Sequence, residues 1–221
     1  MKDEYRKDIV LASSSPRRRE MFADRGIPVR ILPAEVDEDL PVELSPETTV
    51  MYLAFKKAAW VAEAIEKERG AGADGGPLVI AADTVVVFGG EIIGKPADED
   101  EAFRVLSGLR RNCHQVITGV ALIDMAGAGA RDPGASALKR CLYEKTDVYF
   151  SDYSDEELRA YVATDEPYDK AGGYAIQETF GKYIDRIDGD RDNVIGFPMY
   201  RVEEYLSRDQ EHKSKHEGKI R

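Results

Sequence analysis

The amino-acid sequence predicts an α/β protein: a mixed, twisted sheet with flanking helices. Three observations carry this. Apolar runs of strand length alternate with segments of helical period, and a tight Gly89-Gly90 hairpin joins two of the runs. Two longer runs late in the chain are separated only by a small, Gly-rich stretch. Hairpins impose antiparallel pairs and strand–helix–strand crossovers impose parallel ones, so one sheet must hold both.

The elements follow in order. Ile9–Ala12 reads as a short strand, then Ser13-Ser14-Ser15 as a hydroxyl-rich turn with Ser15 as N-cap and Pro16 at the first helical position. Val29–Leu32 is a second strand. Pro46 to Arg69 is a long helix, because Val50, Leu53, Ala54, Ala58, Val61, Ala62 and Ile65 recur at helical spacing and Gly70 stops them. Residues 71–77 form a connector. Leu78–Phe88 and Glu91–Ile93 are the hairpin strands, with Phe88 facing Glu91. Asp98–Ser107 is helical, and His114–Met125 and Lys139–Phe150 are long strands around a loose insertion at 126–137. Ser154-x-x-Glu157 is a capping box opening the helix Leu158–Thr164. Strands are expected at Tyr183–Ile187 and Val194–Ile195, and a closing helix at Met199–Leu206. A single domain thus covers 8–207, between flexible termini at 1–7 and 208–221.

Bulk properties narrow the function. At 221 residues and 43% hydrophobic content the chain can bury a large core. Forty-two acidic against 31 basic residues leave a net charge of −11, which disfavours a nucleic-acid polymer or an anionic membrane as partner. A small anion would need positive charge gathered locally. Cys113 and Cys141 have no metal-ligand spacing and form no disulfide framework. With a polar start, Met1 to Lys7, and no apolar run of membrane-spanning length, a reduced, cytoplasmic protein is expected.

Two signals carry chemistry. Arg17, Arg18 and Arg19 lie in a first helical turn, where the macrodipole disfavours cations. Free amides, three serine hydroxyls and the guanidiniums converge sensibly if a phosphate occupies the turn; the alternative is a solvated arginine cluster. Asp83 interrupts an apolar strand, on the face of Val79, Ala81, Val85 and Val87. A carboxylate there must be paired, hydrogen-bonded or metal-bound, so a structural Asp remains open as an explanation. Extending the hairpin register sets Thr84 opposite Lys95 and so Lys95 beside Asp83, a pairing suited to phosphate chemistry or to a plain ion pair. Glu35, Asp37, Glu38 and Asp39 are either a solvated loop or a source of an oxygen ligand for Mg²⁺ or Mn²⁺. Lys57 lies among the apolar positions of the long helix, where it can snorkel or reach an anion. Asp188 to Asp192 imitates a calcium loop, but Asn193 and Met199 stand where Gly and Glu are required. There is no Walker-type loop, and His114, His212 and His216 form no metal pair.

Taken together, these residues resemble the Maf family of nucleoside triphosphate pyrophosphatases from about Ile9 to Leu206. The resemblance is carried by Leu11–Arg18, Val36-Asp37-Glu38, Leu53-Ala54-x-x-Lys57-Ala58, Ala82-Asp83-Thr84, Gly94-Lys95-Pro96, Asp169-Lys170-Ala171-Gly172, Tyr174-x-Ile176-Gln177 and Asn193 to Pro198. It implies two lobes around a deep cleft, as in ITPase-like folds, and cleavage between the α- and β-phosphates. By position, Asp83 would be the base for the attacking water, and Glu38 with Asp83 would hold the divalent ion, Mg²⁺ or Mn²⁺. Ser13, Ser15, Arg17, Arg18, Lys57 and Lys95 would bind the triphosphate. Arg18, Thr84 and Gln177 match the branch that prefers dTTP and UTP; the 7-methyl-GTP branch has an aromatic, Gln and Glu there. Ala175, in place of a usual Gly, and Gly181-Lys182 depart from the pattern. The expected activity is hydrolysis of dTTP and UTP, and of modified pyrimidine nucleotides, clearing unneeded or non-standard pyrimidine triphosphates. The same chemistry on methylated or other purines, or a nucleotide-binding cell-division regulator without turnover, are the alternatives. A homodimer is left open.

Overall fold

Seven strands form one sheet among the residues that the computed structural model describes, 8–70, 76–125 and 138–207. The expected insertion at 126–137, most of the connector and both expected flexible termini lie outside the described residues. In chain order the elements are β1 (Ile9–Leu11), α1 (Pro16–Asp24), β2 (Arg30–Ile31), α2 (Pro46–Arg69), β3 (Leu78–Phe88) and β4 (Glu91–Ile93). Then come α3 (Glu99–Leu109), β5 (Cys113–Asp124), β6 (Leu138–Phe150), α4 (Asp155–Val162), β7 (Ile184–Asp188), α5 (Arg191–Ile195) and α6 (199–207). The strand order is β2-β1-β3-β5-β6-β7, with β4 added to β3. The β1–β2 and β1–β3 pairs are parallel and the others antiparallel, the mixed sheet expected.

The edges of β3 set up everything that follows. One edge pairs with β5 continuously from Leu78 to Val87. On the other, β1 covers Leu78–Ile80 and β4 covers Val86–Phe88. No described strand lies along 81–85, so a window opens in the sheet at Asp83.

Helices close both faces. Ala54, Ala58, Val61, Ala62 and Ile65 of α2 pack on Val10, Val79, Ala81, Ala121 and Ile123. Ser45 caps that helix by accepting from the Thr48 amide at 3.3 Å, and Gly70 ends it at φ 81°. Gly119 of β5 lets α2 come close: a Cβ there would lie 2.3 Å from the Val50 carbonyl carbon. On the opposite face, Met21 and Phe22 of α1 join Phe197, Met199, Val202 and Leu206 over Ile80, Ala82 and Val120. A third cluster packs α3 and α4 with Phe150, Tyr174 and Phe180. Among the described residues no helix is long and apolar enough to cross a membrane.

One expected strand is a helix. Val194 and Ile195 belong to α5, because Asp190 accepts from the amides of Asp192 at 3.1 Å and Asn193 at 3.2 Å. Asn193 is fully buried, its amide donating to the Val116 carbonyl at 2.9 Å and the Thr146 hydroxyl at 3.0 Å. Local capping and one buried amide outweigh the β-propensity of two residues.

His114 of β5 is buried, with Nε2 2.6 Å from the Tyr174 hydroxyl. Burial pushes its pKa from the ordinary 6.5 down to about 4, against the opposing charge of Asp147. A pKa depressed on folding gives stability that is present above pH 6.5 and lost as pH falls towards 4. The melting temperature is therefore expected to drop across that window, and His114→Gln to flatten the drop in a pH series of thermal melts.

Candidate active site

Where β1 ends, Ala12 still donates to the Ile80 carbonyl at 2.8 Å, and the chain then turns over the window. Ser13 is buried, and its hydroxyl accepts from the Ser15 amide at 3.2 Å and from Arg18 Nη1 at 3.4 Å. Ser15 has the extended backbone of an N-cap and Pro16 follows at N1, yet the Ser15 hydroxyl makes no cap bond. No acidic residue lies in the first turn of α1.

Arg18 fills part of the window. Its Nη1 donates to the Ala82 carbonyl at 2.7 Å, Nη2 to the Thr84 hydroxyl at 3.0 Å and Nε to the Gly196 carbonyl at 2.8 Å. Four of five guanidinium donors are thus engaged, counting Ser13. Its pKa is lowered to about 10, chiefly by burial and to a lesser degree by Arg17, with Asp83 and Glu38 opposing; Arg18 stays charged at neutral pH. Thr84 lies 2.9 Å from the Thr118 hydroxyl, so Ser13, Arg18 and Thr84 form one network.

Asp83 points to the other face, towards α2. Its carboxylate accepts from Lys57 Nζ at 2.6 Å, and Lys57 reaches Glu38 at the same distance. Asp83 is 9% exposed. Chiefly the hydrogen bond from Lys57 holds Glu38 below the ordinary carboxylate range; burial opposes it, and the charges of Lys57, Lys95 and Arg18 help. The residue on Asp83 is therefore Lys57, where the extended register had set Lys95. The β3–β4 ladder ends at Val86↔Ile93, so the register does not reach Thr84, and Thr84 pairs across to Thr118. Lys95 is exposed on the turn after β4, acting on Glu38 through its field. Within the acidic loop Glu38 makes the ion pair, while Asp37 orders the turn by accepting from the Asp39 amide at 2.8 Å. Arg17 is 3.7 Å from Glu178, and Gln177 is exposed just before it.

Among the described residues no three His, Cys, Asp or Glu side chains converge on an ion site. Glu38 and Asp83 nonetheless meet at one nitrogen, which puts their oxygens at most twice 2.6 Å apart. Two carboxylates fit Mg²⁺ or Mn²⁺, which take one or two from protein and the rest from phosphate and water.

Cations and hydroxyls gathered this closely, on a chain of net charge −11, mark an α/β protein built to handle phosphate. The chain belongs to the Maf family: the model of that family, described as Maf-like protein, matches residues 8–209. It is 45% identical over 198 residues to a dTTP/UTP pyrophosphatase of Caldicellulosiruptor bescii, covering 89% of this chain and 92% of that one. A protein of the same name from Pelotomaculum thermopropionicum is 43% identical over 202 residues, 91% of this chain and 96% of that one. Similarity to the solved Ham1 protein of Staphylococcus aureus is slight, with a TM-score of 0.35 and 16% identity over 66% of this chain and 73% of that one.

Residues that sequence reasoning left without a role also shape the site. Gly119 pairs directly with Asp83 across the ladder, and a lone glycine inside an apolar strand was its only signal. The buried Lys170 pairs at 2.9 Å with Glu178, which is partly exposed beside Arg17.

Proposed function

We propose that this chain hydrolyses dTTP and UTP between the α- and β-phosphates, giving the nucleoside monophosphate and pyrophosphate. The names of its relatives support the substrate. The observation that carries the chemistry is the Lys57-held carboxylate of Asp83, in the sheet window facing the Ser13–Arg18 turn.

In this reading the triphosphate lies on the first turn of α1, between the hydroxyls of Ser13 and Ser15 and the guanidinium of Arg17. Arg18, braced on backbone carbonyls, keeps one donor for substrate. Asp83 accepts the proton of a water attacking the α-phosphorus in line, and Lys57, 2.6 Å away, orients that carboxylate. Glu38 and Asp83 would hold Mg²⁺ or Mn²⁺, which supplies charge neutralisation for the phosphates. Lys57 and Lys95 stabilise charge developing on the pyrophosphate. Gln177 and Thr84 face the base, where a carboxamide offers one donor and one acceptor to a pyrimidine edge. The same reading divides 8–207 into a sheet lobe and an α3–α4 lobe around the cleft. It also sets the protein in the cytoplasm on free nucleotides, as a monomer or homodimer that light scattering distinguishes.

Pyrophosphate release over standard and methylated triphosphates, with and without Mn²⁺, tests this. dTTP and UTP should turn over fastest. Preference for 7-methyl-GTP would move the chain to the purine branch, and tight binding without turnover would make it a regulator. Arg17→Ala is expected to raise KM for UTP about tenfold, the value of one charge-assisted hydrogen bond, with little change in kcat. An unchanged KM would remove the phosphate from the turn.

A further inference from the structure

Lys170 is 6% exposed, an unusual place for a lysine. Its ammonium donates to the Glu166 carbonyl at 2.6 Å, to Asp169 Oδ1 at 2.6 Å and to Glu178 Oε2 at 2.9 Å. All three of its protons are therefore engaged, and it has none for a phosphate. Burial opposes its charge, but the hydrogen bonds to Asp169 and Glu178 outweigh that and raise its pKa above the usual lysine value. For Asp169 burial likewise opposes ionisation, and the bond and charge of Lys170 overcome it.

Glu178 is shared. One oxygen is on Lys170 and the other is 3.7 Å from Arg17 Nη1, so Lys170 holds it more tightly. Its backbone belongs to a tight turn: the Glu178 amide donates to the Ala175 carbonyl at 3.2 Å, and Gly181 donates to the Glu178 carbonyl at 3.0 Å. A Cβ on Gly181 would lie 2.1 Å from the Ile176 carbonyl oxygen, so the turn has no slack there. Gln177 lies inside this turn, adjacent to Glu178.

We propose that Lys170 is a positioning residue that, through Glu178, fixes both the base-facing Gln177 and the phosphate-facing Arg17. The inference rests on the roles given to those two residues above. Lys170 and Arg17 balance Asp169 and Glu178 in charge. Without Lys170, the freed Glu178 carboxylate closes on Arg17 and competes with the triphosphate for it, while the turn carrying Gln177 loses its anchor. Substrate binding and base choice should suffer, and the attack at the α-phosphorus should not.

Steady-state kinetics on UTP and CTP, which differ at the base edge, test this in Lys170→Met and Lys170→Arg. Lys170→Met is expected to raise KM for UTP about tenfold, hold kcat within about threefold and lower the UTP-to-CTP preference. Lys170→Arg should restore most of both. Unchanged KM and preference in a folded Lys170→Met protein would overturn the proposal, as would a loss confined to kcat. If Lys170→Met does not fold, Glu178→Gln decides: a reduced UTP-to-CTP preference supports the proposal and an unchanged one overturns it. Failure of the underlying functional reading shows separately, as wild-type protein that releases no pyrophosphate from UTP.

Discussion

Asp83→Asn is expected to lower kcat by about a thousandfold, the usual contribution of a positioned general base, while the fold and nucleotide affinity persist. The substitution keeps the shape of the side chain and the oxygen facing Lys57, which now sits 2.6 Å from the carboxylate. It removes the proton acceptor and the negative charge that Asp83 brings, beside Glu38, to the Lys57 ammonium. Single-turnover kinetics, calorimetric binding of UTP and thermal melts separate these effects. Near-normal turnover in a folded variant would sink the assignment of the base.

Gly119→Ala is expected to destabilise the protein by about 3 kcal/mol, the upper part of the range for overpacking a tight interface. The new methyl would meet the Val50 carbonyl carbon at 2.3 Å, its oxygen at 2.4 Å and the Met51 nitrogen at 2.6 Å. These are backbone atoms of α2 and cannot yield by a rotamer change. The helix must back away, and Lys57, two turns further along it, must retreat from Asp83. A misplacement of about 1 Å at a catalytic group can cost about a hundredfold in rate. Urea denaturation and kcat together give the check, and a neutral substitution would refute the close approach.

Much of the scaffold was legible because it is local. The apolar spacing of α2, its Pro46 start and its Gly70 stop predicted both ends, since periodicity and capping depend only on neighbouring residues. The Gly89-Gly90 turn gave the Phe88↔Glu91 register, because two-residue turns dictate pairing. That logic failed when carried further. The ladder stops at Ile93, so Lys95 follows the turn outward and Lys57 takes the position at Asp83. The α5 error is of the same kind: Val194 and Ile195 look extended until Asp190 and the buried Asn193 impose a helical turn.

By itself the sequence determined the α/β class, most elements, the face of Asp83 and the unusual charge at the start of α1. Each of these is written in side-chain period, capping residues or a charge out of place. Tertiary structure alone decided which cation meets Asp83, how Arg18 is braced on Ala82 and Gly196, and that Lys170 stands behind Glu178. The Arg18 and Lys57 contacts join residues far apart in the chain where one edge of β3 is open, and the Lys170 contact depends on the chain folding back so that Thr179 meets Glu166; no local preference encodes such distances.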